Sequence, residues 1–102
     1  MKIGIVGLGA VGAAVFEGLQ SYHEVYGYDI DGRGTWDEIL RTDVVFICVP
    51  TPMFQDGSQD LSYVESTFEK ATSKPVYILK STVLPGTTEG LSKKYSNFKI
   101  IF

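Results

Sequence analysis

Lys2-Ile3-Gly4-Ile5-Val6-Gly7-Leu8-Gly9-Ala10-Val11-Gly12 opens the chain, and its reading decides the fold. A β-leaning apolar run ends in G-x-G-x-x-G. A helical pattern follows, with Val11, Ala14, Val15, Gly18 and Leu19 on one face of residues 10–22. Strand, glycine turn and helix in that order begin a βαβ unit. Gly7 allows the tight turn, Gly9 lets the backbone approach a pyrophosphate with no Cβ in the way, and Gly12 lets the helix pack close to the strand. The free N–H groups and dipole of the helix start favour negative charge there.

The alternation continues outward. Residues 24–29 read as a second strand, and Thr35-Trp36-Asp37-Glu38 fits a capping box that opens a short helix through Arg41. Residues 43–49 (DVVFICV) form a continuous β-rich run, the pattern of a strand buried on both faces. Pro50 and Pro52 end it. Residues 54–60 read as a polar loop. Ser62-Tyr63-Val64-Glu65 is a second capping box, opening a helix to about Thr72. Residues 75–80 form a fourth strand, Leu84-Pro85-Gly86 a turn, residues 87–95 a helix weakened by Gly90, and residues 99–102 a fifth strand. The predicted fold class is α/β: a Rossmann-type open parallel sheet of about five strands with helices on both faces. It has no internal repeat or linker, so residues 1–102 form one domain.

Composition bounds the function. The 102 residues carry 9 Lys plus Arg against 12 Asp plus Glu, a net charge of −3. Without a basic excess to displace phosphate counterions, nucleic acid is not an expected partner. Hydrophobic residues at 44 % and charged residues at 21 % are those of a globular, not a disordered, chain. One cysteine excludes an internal disulfide and a cysteine zinc cluster, and Asp56 and Asp60 fall short of a calcium loop, so no metal is expected. The opening apolar run is too short and glycine-rich to span a membrane, and no clear cleavage site follows it. The expectation is a soluble, cytoplasmic protein. The apolar end, Ile100-Ile101-Phe102, reads as a cut sheet edge, open to homodimer formation by strand pairing.

Asp29 follows Gly7 by 22 residues, at the end of strand two. A carboxylate there accepts hydrogen bonds from the adenosine ribose and repels a 2′-phosphate, which favours NAD over NADP. Arg33 either softens that preference, faces solvent or touches the pyrophosphate. FAD and a regulatory adenine nucleotide share the fingerprint. In an open parallel sheet the ligand lies outside the carboxyl ends of the strands, so the loops after strands three and four are informative. Thr51, stiffened between two prolines, offers a hydroxyl near the expected nicotinamide ribose. The run from Lys80 to Thr88 is dense in hydroxyls.

Val45-Phe46-Ile47-Cys48-Val49-Pro50-Thr51-Pro52, Asp56-Gly57, Asp60-Leu61-Ser62-Tyr63-Val64-Glu65, Lys80-Ser81-Thr82-Val83 and Pro85-Gly86-Thr87-Thr88 together resemble the UDP-glucose/GDP-mannose dehydrogenase family over essentially the whole chain. The resemblance implies the N-terminal NAD-binding domain of a nucleotide-sugar 6-dehydrogenase. Such enzymes oxidise the sugar C6 alcohol in two NAD-dependent steps, through a thiohemiacetal and a thioester on a cysteine. It further implies that Gly7, Gly9, Gly12 and Asp29 hold NAD, that Thr51 helps position a catalytic water, and that Ser81 and Thr82 lie beside the cofactor. The full expected cofactor set is Gly7, Gly9, Ala10, Val11, Gly12, Asp29, Ile30, Arg33, Val49, Pro50, Thr51, Ser81 and Thr82, with Thr51 the one catalytic candidate.

The sequence also departs from the family pattern. Leu79 stands where some members carry a glutamate, and only residues 30–42 join Asp29 to Asp43, where the family has a long segment. The family's substrate-binding lysine, nucleophilic cysteine and sugar-binding region lie beyond residue 102, so the isolated chain is expected to be inactive. Two other readings remain: an NAD-sensing regulatory module, and the NAD domain of a 3-hydroxyacid-type dehydrogenase. The first gives no reason for Pro50-Thr51-Pro52 or the run after Lys80, and the second is disfavoured by residues 60–65. Cys48, inside an apolar strand with no basic group nearby in sequence, reads as a buried structural thiol. His23 lacks partners in sequence, Lys80 reads as solvated or ion-paired, Lys93-Lys94 suit a helix C-terminus, and Trp36 reads as a packing anchor.

Overall fold

Five parallel strands lie in the order β2-β1-β3-β4-β5. The computed structural model describes residues 1–81, 83–84 and 86–101. Thr82 of the expected cofactor set, Pro85 of the expected turn and Phe102 of the expected fifth strand lie outside the described residues. The elements run β1 (Lys2–Val6), α1 (Ala10–Leu19), β2 (Glu24–Tyr28), α2 (Trp36–Leu40), β3 (Val44–Ile47), α3 (Ser62–Glu69), β4 (Val76–Leu79), α4 (Thr87–Lys94) and β5 (Lys99–Ile101). The chain steps one way from β1 to β2 and the other way from β1 to β3, β4 and β5. That reversal opens a crevice at the carboxyl ends of β1 and β3. Removing the third strand from the dinucleotide-binding order 3-2-1-4-5-6 leaves this order, and the short connection 30–42 holds α2 alone.

Right-handed crossovers fix which face each helix covers. Gly4, Val45, Tyr77 and Ile100 are in register across the sheet, as are Val6, Ile47 and Leu79. On this face they pack with Ile39 of α2, Val64 and Phe68 of α3, Leu91 of α4 and Tyr95 at its C-terminal end. Phe68 meets Tyr77 edge-on at 5.8 Å and stacks on Tyr95 at 5.0 Å. On the opposite face α1 lies over β1 and β2, where a Cβ on Gly27 would meet the Leu8 and Phe16 side chains.

β3 is therefore not buried on both faces as its sequence suggests. Val45 and Ile47 are fully buried, while Val44 and Phe46 are half-buried. The reason is topological: α1 travels with β1 toward β2, away from β3. β4 repeats the pattern at Val76 and Ile78.

Both predicted capping boxes form differently. The Thr35 hydroxyl donates to Glu38 Oε1 at 2.9 Å instead of capping a backbone N–H. Ser62 is the first residue of α3, inside the helix and not at its cap, and Asp60 accepts its N–H at 2.9 Å; hydrogen bonding from the Ser62 side chain, and then from this N–H, holds the Asp60 carboxyl below the usual carboxylate range. α3 ends at Glu69, short of Thr72, because the Tyr77 hydroxyl claims the Thr72 backbone. It donates to the carbonyl at 2.7 Å and accepts the N–H at 3.1 Å. α1 ends at Leu19, whose carbonyl accepts the N–H groups of Tyr22 and His23 in the turn that follows. The expected polar loop is a hairpin, with Met53 bridged antiparallel to Gln59. Among the described residues, no helix is long and apolar enough to cross a membrane.

Candidate functional site

A cleft of about 530 Å³ opens at the carboxyl ends of the strands, within the size of ordinary ligand sites. The glycine loop forms one wall. Gly7 has φ +91°, and a Cβ on it would stand 2.8 Å from the Cys48 carbonyl group, so the loop rests on the end of β3. A Cβ on Gly12 would fall 1.8 Å from the Gly7 oxygen, so α1 can start there only on a glycine. Gly9 differs: its Cβ would meet nothing within 4 Å and would stand in open space. No side chain caps the start of α1, no acidic residue sits in its first turn, and Ala10 and Val11 are exposed. Uncapped helix N–H groups beside a cradle that a Cβ would fill suit an anion such as a pyrophosphate.

Asp29 lies at the end of β2, its side chain one-fifth exposed. Its Oδ2 accepts the Leu8 N–H at 2.8 Å and its Oδ1 the Asp31 N–H at 3.3 Å. Arg33 does not line the cleft. Its Nη2 lies 2.9 Å from Asp31 Oδ2 and 3.7 Å from Asp29 Oδ2, and more than half of the side chain is exposed. The guanidinium bonded to Asp31 holds that carboxyl below the usual range.

The other end of the cleft is built by the loops after β3 and β4. Val49, Pro50, Thr51 and Ser81 line it. The Ser81 hydroxyl donates to the Val49 carbonyl at 2.7 Å, and the Gln59 amide bridges Thr51 to Leu84. Cys48 is half-buried and lines the cleft, so it is not sealed in the core. Burial pushes its thiol up, partly offset by the charge of Lys80, which also borders the cleft. Leu79, where some relatives were expected to carry an acid, points into the core.

The cleft brings together Gly7, Gly9, Ala10, Val11, Asp29, Ile30, Val49, Pro50, Thr51 and Ser81 of the expected set, while Gly12 supports the loop from beneath. Sequence reasoning missed its far wall, formed by Tyr28, Trp36, Tyr63, Ser66, Thr67 and Lys70. Trp36 meets Tyr28 edge-on at 5.1 Å, donates Nε1–H to the Lys70 carbonyl at 3.0 Å, and carries the Lys70 ammonium 4.8 Å from its ring centre. Positions 63, 66, 67 and 70 fall on one helical face, a signal that was present; nothing local marks Trp36 as a wall. His23 lies elsewhere, in a polar depression with Lys2, Arg41 and Asp43.

Residues 33–99 match the UDP-glucose/GDP-mannose dehydrogenase family, NAD binding domain. A GDP-mannose 6-dehydrogenase from Pseudomonas aeruginosa is 31 % identical over 133 aligned positions, covering 89 % of this chain and 30 % of its own. That alignment is longer than this chain, so the relative carries residues with no counterpart here. A UDP-glucose 6-dehydrogenase from Haloferax volcanii is 35 % identical over 79 positions, covering 70 % of this chain and 18 % of its own. The crystal structure of a ternary complex of GDP-mannose dehydrogenase from Pseudomonas aeruginosa superposes with a TM-score of 0.78 at 31 % identity, covering 97 % of this chain and 33 % of that one. The chain thus spans about a third or less of the proteins it matches. It belongs to the UDP-glucose/GDP-mannose dehydrogenase family, as its NAD binding domain.

Proposed function

We propose that the cleft holds NAD for the oxidation of a nucleotide sugar at its primary alcohol. The observation that carries this is the open space at Gly9 before the uncapped start of α1, with Asp29 fixed beside it. In this reading the pyrophosphate lies on the N–H groups that follow Gly9, and Asp29 accepts from the adenosine ribose hydroxyls. Val11, Ile30, Tyr28 and Trp36 wall the adenine, while Thr51 and Ser81 border the nicotinamide end, where Thr51 helps place a water. Arg33 tempers the repulsion that Asp29 exerts on a 2′-phosphate, and Thr82 belongs to the same set. Bound NAD supplies the hydride acceptor; each oxidation moves one hydride to it and releases one proton.

The names of the relatives, GDP-mannose and UDP-glucose 6-dehydrogenase, support the sugar-nucleotide class. The single thiol, pushed up by burial, does not suit the nucleophile of such a reaction. The 102 residues by themselves therefore bind cofactor without turning over sugar. Calorimetry of this chain should show NAD binding, and mixing it with NAD and UDP-glucose or GDP-mannose should produce no NADH. No binding at millimolar NAD contradicts the site, and a steady NADH rate contradicts the inactivity. Edge strand β5, with Ile101 53 % exposed, supports pairing of two copies. A single monomer mass at all concentrations in sedimentation would exclude that pairing.

A further inference from the structure

Gln59 closes the hairpin after β3, opposite Met53. Its Nε2 donates to the Thr51 carbonyl at 3.2 Å, and its Oε1 accepts the Leu84 N–H at 3.0 Å. One side-chain amide thus joins the loop after β3 to the loop after β4. The hairpin that carries it is firm: Phe54 N–H donates to the Ser58 carbonyl and Asp60 N–H to the Pro52 carbonyl, each at 2.7 Å. Thr51 stands between two prolines, which bring no backbone donors to hold that segment. Its carbonyl is held from across the hairpin instead. The Ser81 hydroxyl on the Val49 carbonyl is a second bond between the two loops, nearer the sheet.

We infer that Gln59 is a positioning residue that sets Thr51 against the loop after β4 and so shapes the Thr51 end of the cleft. This rests on the reading of the cleft as an NAD site. Gly9 and Asp29 lie at the other end and make no use of Gln59. Loss of the bridge therefore separates the two halves of the dinucleotide: contacts to the nicotinamide half weaken, and contacts to the ADP-ribose half stay.

The test is calorimetric titration of NAD and of ADP-ribose into the wild-type chain, Gln59→Met and Gln59→Glu. Met keeps the length of the side chain without either hydrogen bond. Glu keeps the acceptor for Leu84 but sets a carboxylate against the Thr51 carbonyl. Both variants are expected to bind NAD about tenfold more weakly while ADP-ribose stays within about twofold of wild type. Unchanged ADP-ribose binding also shows that the variant is folded. If either variant binds NAD as wild type does, or if both ligands weaken together, the positioning role is overturned. If wild type binds ADP-ribose and NAD equally, the inference fails while the site stands. If wild type binds neither at millimolar concentration, the site reading falls and this inference with it.

Discussion

Asp29 Oδ2 lies 2.8 Å from the backbone nitrogen of Leu8, so the carboxylate at the end of β2 is bonded directly to the glycine loop. The adjoining Gly7 N–H donates to the Tyr28 carbonyl at 2.8 Å. The end of β2 and the first turn after β1 are thereby joined by backbone and side chain together. A residue expected only to read a ribose also shapes the loop that receives the phosphates.

Asp29→Ala should act on both stability and binding. It leaves the Leu8 N–H without its partner, a cost of roughly 1–3 kcal/mol, or several degrees in a chain this short. NAD affinity should fall at least about tenfold with the loss of charge-assisted acceptance. Asp29→Asn keeps an acceptor for Leu8, so its melting temperature should recover while its discrimination against NADP narrows. Scanning calorimetry and titration of both cofactors check this; a preserved NADP penalty in Asp29→Asn contradicts it.

Trp36 is the only tryptophan, so its emission reports on the far wall of the cleft. Saturating NAD or ADP-ribose should change that emission, since an adenine displaces water beside the indole. Trp36→Ala should weaken both ligands by about the same factor, on the order of tenfold, because the wall serves the half they share. Unchanged emission at saturation argues that adenine sits elsewhere.

Burial keeps the Cys48 thiol protonated beyond the ordinary thiol range. Alkylation by iodoacetamide should be slow near neutrality, rise only in alkali, and slow further with NAD present, since Cys48 lines the cleft. A group whose folded value is raised stabilises below its unfolded value, and that stability is lost as pH climbs through the folded value. Rapid alkylation at pH 7, unaffected by NAD, would contradict this placement.

Gly12→Ala should cost the fold. The added Cβ meets a backbone oxygen at 1.8 Å, and neither the loop nor α1 can withdraw without breaking the contact of Gly7 with the end of β3. A loss of several kcal/mol, about 3 or more, is expected by chemical denaturation. A midpoint equal to wild type would mean that the close packing is not obligatory.

The glycine loop, the strand and helix sequence and Asp29 were legible because each is a local pattern with one physical use. The partners of Thr35 and Ser62 were not, because a carboxylate close by in the chain, inside the first box and just before the second, takes the hydrogen bond. Glu38 took the Thr35 hydroxyl and Asp60 took the Ser62 N–H. The apolar run of β3 could not say that Val44 and Phe46 would be half-buried, since that depends on where α1 lies. Trp36 and Gln59 carry no local signature of the cleft. Their roles come from partners 34 and 25 residues away, which only the fold brings near.

Gly9 separates the ligand from the fold. Gly9→Ser provides a good helix N-cap and meets no neighbour, so its melting temperature should equal or exceed that of wild type. Its hydroxyl would occupy the space before α1 and compete for the N–H groups assigned to the pyrophosphate. Titrating NAD into both proteins side by side should give binding to wild type and at least about tenfold weaker binding to Gly9→Ser. Equal affinity for the two proteins would contradict a pyrophosphate seat at the start of α1.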